Sequence, residues 1–241
     1  MDLSILSSPL IRKYRDAFVQ LVFPRNCLLC GGELLEKEKC LCKQCSSKLP
    51  YTKFELQDNN PIEQLFWGKV EVEKASSLLY FRKGEKVQKI IHYIKYRNAK
   101  ELGVSMGEIF GRRLMNTGFL TDIDVIVPVP LHPKRLKYRG YNQSELLARG
   151  IGSVSGIEVL PNAIIRHSYT ETQTKKERYE RHLNVHRVFN VAQEDQIMGK
   201  HILLVDDVIT TGSTLEACIV QLKRIPNTRV SVVALASANG Y

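Results

Sequence analysis

The sequence predicts an α/β fold: a mostly parallel sheet flanked by helices, with a small cysteine-built ribbon ahead of it. Three observations carry that expectation. From Ser76 onward, short apolar runs of strand length alternate with stretches of helical spacing. The run His201-Ile-Leu-Leu-Val-Asp-Asp207 reads as a buried strand ending in two acids, with a tight turn and an apolar helix directly after it. Five of the six cysteines fall between Cys27 and Cys45.

The elements follow in chain order. Leu3, Ile5, Leu6, Leu10, Ile11, Tyr14, Phe18, Leu21 and Val22 have helical spacing, so residues 1–24 are expected to form an amphipathic helix. Arg12, Lys13, Arg15 and Asp16 interrupt its apolar character, unlike the core of a secretory signal. Packing on the main domain is the expected use; a membrane surface or a partner is the alternative.

Residues 25–50 hold two knuckles, Cys27-x-x-Cys30 and Cys42-x-x-Cys45, around a charged hairpin with Gly31 and Gly32. Each knuckle can aim two thiolates at one centre, and four thiolates complete a closed, structural Zn²⁺ site. Lys39, Lys43 and Lys48 can offset its negative charge. So small a segment cannot build an adequate apolar core, so the metal is expected to supply most of its folding energy. Cys40 could replace Cys42, but Cys42 and Cys45 give the usual loop, which leaves Cys40 a spare thiol. Cys218 reads as buried packing.

Residues 51–75 are mixed and polar, and are expected to link the ribbon to the main domain, with Leu65, Phe66 and Trp67 as a docking patch. In the main domain, 76–241, a strand is expected over Ser76–Phe81. A helix follows over Lys86–Arg97 with Val87, Ile90, Ile91 and Ile94 inward, then a second over Leu102–Leu114. Asp124–Pro130 is a short buried strand closed by prolines. A basic loop, His132 to Gln143, leads to a helix from Ser144, where Asn142 and Gln143 are candidate caps. Further strands are expected near Ala163–Arg166, Val188–Val191 and Val230–Ala236.

The turn after the acids carries the chemistry. Thr210, Thr211, Gly212, Ser213 and Thr214 make a hydroxyl-rich bend whose backbone N–H groups, with a helix N-terminus behind them, form a phosphate cradle. Asp206 and Asp207 can accept hydrogen bonds from vicinal sugar hydroxyls, or hold Mg²⁺ through water. A phosphate site beside a diol site describes a phosphoribosyl binder. A receiver domain also has paired acids after a strand, but too few residues follow Asp207 to complete a doubly wound sheet. A P-loop is excluded because no Gly-Lys-Ser/Thr follows the turn.

The net charge of +10 points to a polyanionic partner without naming it. Lys89, Tyr93, Lys95, Tyr96 and Arg97 form a basic and aromatic surface on which bases can stack while cations track phosphates. No apolar run approaches the ~20 residues of a membrane span. The clustered cysteines fit a reducing cytoplasm.

The segment Leu203-Leu-Val-Asp-Asp-Val-Ile-Thr-Thr-Gly-Ser-Thr214 resembles the 5-phosphoribosyl-1-pyrophosphate (PRPP) motif of type I phosphoribosyltransferases. That resemblance places ribose hydroxyls on Asp206 and Asp207, and the 5′-phosphate on Thr210, Thr211, Gly212, Ser213 and Thr214. The pattern Pro128-Val-Pro-Leu-His-Pro-Lys-Arg-Leu-Lys-Tyr-Arg-Gly-Tyr-Asn-Gln143 is similar to the ComF competence-protein family. So are the cysteine ribbon, His92-Tyr-Ile-Lys-Tyr-Arg97, and Thr172-Gln173 followed by Arg181, Asn184 and Phe189. Lys175-Lys176 departs from the family's Gly-Leu pair in the segment corresponding to a mobile loop.

The resemblance implies a zinc ribbon before a phosphoribosyltransferase-like domain, and a cytoplasmic role in DNA uptake during natural transformation. It also implies single-stranded DNA as a ligand, a helicase-like partner and a place peripheral to the membrane uptake machinery. By position, Lys134, Arg135 and Arg139 are candidates for the pyrophosphate side; gripping a nucleic-acid backbone is their other use. Catalysis stays open, because no base-selecting pocket is recognisable in the sequence. An active phosphoribosyltransferase of nucleotide salvage or biosynthesis is the alternative function.

Overall fold

The computed structural model describes residues 25–167 and 188–238. The chain divides between Lys48 and Leu49 into two compact units. In the smaller, Asn26 and Glu33 pair as an antiparallel bridge, and a short helix, α1, spans Lys43–Ser47.

The larger unit is built on five parallel strands in the order β1-β7-β6-β2-β3. These are β1 Ala75–Tyr80, β2 Val125–Pro128, β3 Glu158–Val159, β6 His201–Ile209 and β7 Arg229–Ser237. The strands expected near 163–166 and 188–191 do not join this sheet. They form a separate antiparallel ribbon of β4 Ile164–Arg166 and β5 Phe189–Val191. The alternation of the sequence reports strands but not which sheet receives them.

Residues 51–75, where the sequence suggests a linker, hold a 3₁₀ turn at Phe54–Leu56 and a helix α2 at Pro61–Gln64. Asn60 caps α2 by accepting from the Ile62 and Glu63 amides, and its own amide reaches the Ala75 carbonyl at 2.8 Å. Phe54, Ile62 and Phe66 are thereby buried in the sheet's core cluster, while Trp67 stays exposed.

Strand alternation divides the central strand's side chains. Ile202 and Leu204 join a core with Val230, Val232, the ribbon's Phe189, and Leu215, Cys218, Ile219 and Leu222 from helix α8, Ser213–Leu222. The intervening Leu203 and Val205 are also fully buried. On their side lie α3 (Lys86–Tyr96), α4 (Lys100–Asn116) and α6 (Gln143–Ser155).

Helices α4 and α6 meet at backbone distance. A Cβ added at Gly107 would lie 2.2 Å from the Leu147 carbonyl oxygen, and one at Gly150 would lie 2.1 Å from that of Val104. Only glycine permits this approach. It fixes α6 against α4, and so sets where the N-terminus of α6 stands. The last two elements are α5, Pro133–Arg139, and α7, Glu194–Ile197. The expected basic loop is largely the helix α5: Pro133 sits at its first turn, where a missing N–H costs nothing, and Gly140 at φ +76° ends it. The amphipathic helix of residues 1–24 and the Thr172–Asn184 segment, with Lys175 and Lys176, lie outside the described residues.

Candidate functional site

Cys27, Cys30, Cys42 and Cys45 place their four sulfurs within 4.8 Å of one another. A tetrahedral centre with ~2.3 Å metal–sulfur bonds has sulfur–sulfur edges of ~3.8 Å, and Cys30 Sγ lies 3.8 Å from Cys42 Sγ. Cys40 is buried and is not one of these four. Backbone amides aim at the sulfurs: Cys42 N–H donates to Cys27 Sγ and Cys45 N–H to Cys42 Sγ, both at 3.4 Å. Burial raises the Cys27 thiol, but amides of Cys42, Cys30 and Leu29 outweigh it and bring it down to about 6. The same four residues can hold a metal such as zinc.

In the larger unit the site stands at the carboxyl ends of β2 and β6, where parallel sheets present ligands. Asp206 and Asp207 are consecutive residues of an extended strand, so their side chains leave on opposite faces. Strand β6 continues past them to Ile209, so they sit within its last turns of pleat rather than at its end.

Asp206 borders an open hollow of about 220 Å³ whose wall is Val208 to Leu215. The wall turns at Gly212, φ +79°, where an added Cβ would meet the Phe66 ring at 3.5 Å. Gly212 precedes Ser213, the first residue of α8, so the N–H groups of that helix's first turn face this end of the sheet. Thr211 and Ser213 hydroxyls bond each other at 2.9 Å, and Thr210, Thr211, Ser213 and Thr214 are all exposed.

Asp206 Oδ1 accepts from Ser144 Oγ at 3.1 Å and from the Asp207 N–H at 2.7 Å. Burial, then the Asp207 charge, pushes the Asp206 carboxyl up to about 7. Ser144 is the second residue of α6. Asn142 caps that helix by accepting from the Ser144 N–H at 3.2 Å, and donates to the Val129 carbonyl at 2.9 Å. The Tyr-Asn-Gln-Ser stretch thus ties the end of β2 to the acid of β6.

Asp207 faces the other way. Lys95 Nζ lies 2.7 Å from its Oδ2, over a small apolar pocket that also involves Ile91, Ile94, Leu147 and Leu235. Beside it, Arg139 stacks on Tyr96 at 5.1 Å and donates to Gln143 Oε1 at 2.6 Å. Residues assigned from sequence to separate tasks, Arg139 to pyrophosphate and Lys95 and Tyr96 to nucleic acid, therefore share one corner. Lys89, stacked on Tyr93 at 5.8 Å, and Arg97 are exposed. Lys134 and Arg135 lie on α5, which buries none of its residues. His132 is structural there: its Nδ1 accepts from the Lys134 N–H at 3.2 Å.

Sequence reasoning missed Ser144 and the Lys95–Asp207 pair. The first sits two residues after a cap candidate, which was the available signal. The second joins residues far apart in the chain and has no local signature.

A phosphoribosyl transferase domain is matched over residues 146–241. The chain is 35% identical over 116 residues to Competence protein F of Haemophilus influenzae, covering 48% of this chain and 51% of that protein. It is 32% identical over 129 residues to the DNA utilization protein YhgH of Escherichia coli O157:H7, covering 52% and 56%. Against Competence protein ComFC of Bacillus subtilis it is 37% identical over 91 residues, covering 38% and 35%. The matches span about half the length of the first two relatives. Among solved structures, it resembles purine phosphoribosyltransferase from Pyrococcus horikoshii at TM-score 0.34 and 18% identity, covering 56% of this chain and 74% of that one. Adenine phosphoribosyltransferase from Leishmania tarentolae gives TM-score 0.37 and 15% identity, over 79% and 94%. The chain is thus similar over about half its length to proteins named for competence and DNA utilization, and its residues 146–241 match a phosphoribosyl transferase domain that includes part of the mostly parallel sheet. No helix among the described residues is long and apolar enough to cross a membrane.

Proposed function

We propose that this protein binds PRPP or a related phosphoribosyl ligand at the carboxyl ends of β2 and β6, and serves DNA uptake as its competence homologues' names suggest. The observation that carries the reading is Asp206, a part-buried acid bordering the Thr210–Thr214 hollow. Amides at the start of α8 would hold the 5′-phosphate, and Asp206 with Asp207 the ribose hydroxyls. The acids' oxygens also suit Mg²⁺, which prefers few carboxylates plus ligand phosphates and, when bound, would neutralise pyrophosphate charge.

The ribbon would carry one structural Zn²⁺ on Cys27, Cys30, Cys42 and Cys45. Single-stranded DNA would run over Lys89, Tyr93, Tyr96 and Arg97, with Lys134 and Arg135 at the edge; a helicase-like partner and the uptake machinery would meet the protein there. Catalytic transfer is the second reading, favoured by Asp206 being tuned near neutrality, where a carboxyl can exchange a proton with an acceptor.

Calorimetric titration of the full chain with PRPP in Mg²⁺, repeated with single-stranded DNA present and with pyrophosphate release followed, tests both readings. Binding without release supports a ligand-responsive uptake factor. Release with a defined base or amine supports transfer. No PRPP binding removes both.

A further inference from the structure

Both hydrogen bonds on the Asp206 carboxyl fall on one oxygen. Oδ1 accepts from the Ser144 hydroxyl at 3.1 Å and from the Asp207 amide at 2.7 Å. The amide belongs to the strand's own backbone and is supplied whatever side chain stands there. Ser144 is therefore the side chain that turns this carboxyl, and among the described residues it makes the one side-chain hydrogen bond to it. A carboxylate offers about two acceptor positions on each oxygen. Two donors fill Oδ1 and leave Oδ2 for whatever enters the hollow that Asp206 borders.

The serine is held in place by restraints that do not involve Asp206. Its N–H donates to Asn142 Oδ1 at 3.2 Å, and Asn142 Nδ2 donates to the Val129 carbonyl at 2.9 Å, just past the end of β2. Gly107 and Gly150 bring α6, which carries Ser144, to backbone distance from α4. Ser144 is only 4% exposed, so water competes little for its hydroxyl. A donor fixed on a rigid helix keeps the carboxyl in one orientation, where an untethered one would have to be ordered each time a ligand binds.

We infer that Ser144 is a positioning residue for the sugar end of the site: by fixing Oδ1 it presents Oδ2 of Asp206 to a ligand hydroxyl, without touching the ligand itself. This rests on the phosphoribosyl reading of the same site. The hollow is walled by Asp206 and residues 208–215, without Ser144, so the serine acts on the acid and not on the turn that takes the phosphate. A phosphate that carries no hydroxyl is thus the discriminating probe.

The test titrates the full chain in Mg²⁺ with ribose 5-phosphate and, separately, with inorganic phosphate. It is run at about pH 8.5, above the Asp206 value of about 7, so that orientation rather than ionisation is read. Ser144→Ala removes the hydroxyl and keeps the Asn142 cap, which uses the backbone amide. It should weaken ribose 5-phosphate by about tenfold, the weight of one hydrogen bond to a charged group, and leave inorganic phosphate unchanged. Parent-like affinity of Ser144→Ala for ribose 5-phosphate overturns the role of the serine and leaves the site standing. Equal loss of both ligands, with a lowered melting temperature, assigns Ser144 to the fold and also overturns it. A parent protein that binds neither ligand overturns the phosphoribosyl reading itself.

Discussion

Lys95 Nζ lies 2.7 Å from Asp207 Oδ2, with the two side chains 21% and 20% exposed. The pair splits the acids into two environments: Asp207 is matched by a cation from α3, while Asp206 is bonded by a serine from α6 and its carboxyl is pushed up to about 7. A sugar approaching these acids therefore meets one charged and one tunable oxygen pair.

Removing the Lys95 charge tests that division. Lys95→Met should lower stability by about 1–2 kcal/mol, because a shielded carboxylate loses its counter-ion. It should leave the salt dependence of DNA binding nearly unchanged, since this cation is already committed. Lys89→Met should instead lower the log–log salt slope by about 0.7. Thermal melts and salt-series titrations read both; equal effects of the two variants on the slope would contradict the assignment.

The Asp206 carboxyl sets a pH dependence. Its value near 7 exceeds the ordinary 3.8, so the fold favours its protonated form. Its contribution to stability is therefore greatest at low pH and is lost as pH rises from about 4 through about 7. Asp206→Asn, which cannot ionise, should stabilise the ligand-free protein by up to about 4 kcal/mol at pH 8 and by little near pH 4. A gain of equal size at both pH values would refute the shift.

The cysteine set makes a sharper distinction. Cys42→Ser should abolish stoichiometric zinc binding and melt the ribbon, whereas Cys40→Ser should retain about one Zn²⁺ per chain. Metal analysis of the purified variants decides it; the opposite pattern would reinstate Cys40 as a ligand.

Gly107→Ala probes how the site is positioned. The added methyl would meet the Leu147 carbonyl oxygen at 2.2 Å, which neither backbone can yield cheaply. A loss of about 3 kcal/mol is expected. Because α6 carries Ser144 to Asp206, phosphoribosyl affinity should fall with it. A variant as stable as the parent would mean the helices part without cost.

Much of this was legible in the sequence, for physical reasons that differ by element. Strand β6 and its turn were readable because apolar residues, acids and hydroxyls follow one another along the chain. The four thiols were readable because a knuckle's geometry is local. The β4–β5 ribbon was misplaced because three-residue strands carry no information about their sheet. Residues 51–75 looked like a linker because their buried groups, Phe54, Ile62 and Phe66, are spaced irregularly and held by turns. The contact of α4 with α6 needs Gly107 and Gly150 to be read as partners, and nothing local pairs them.

The most direct measurement is a crystal structure of the protein with ribose 5-phosphate bound. The account predicts its phosphate against the amides that begin α8 at Ser213, and its hydroxyls within hydrogen-bond distance of Asp206. A sugar phosphate bound elsewhere, or this corner closed by its own side chains at saturating ligand, would contradict it.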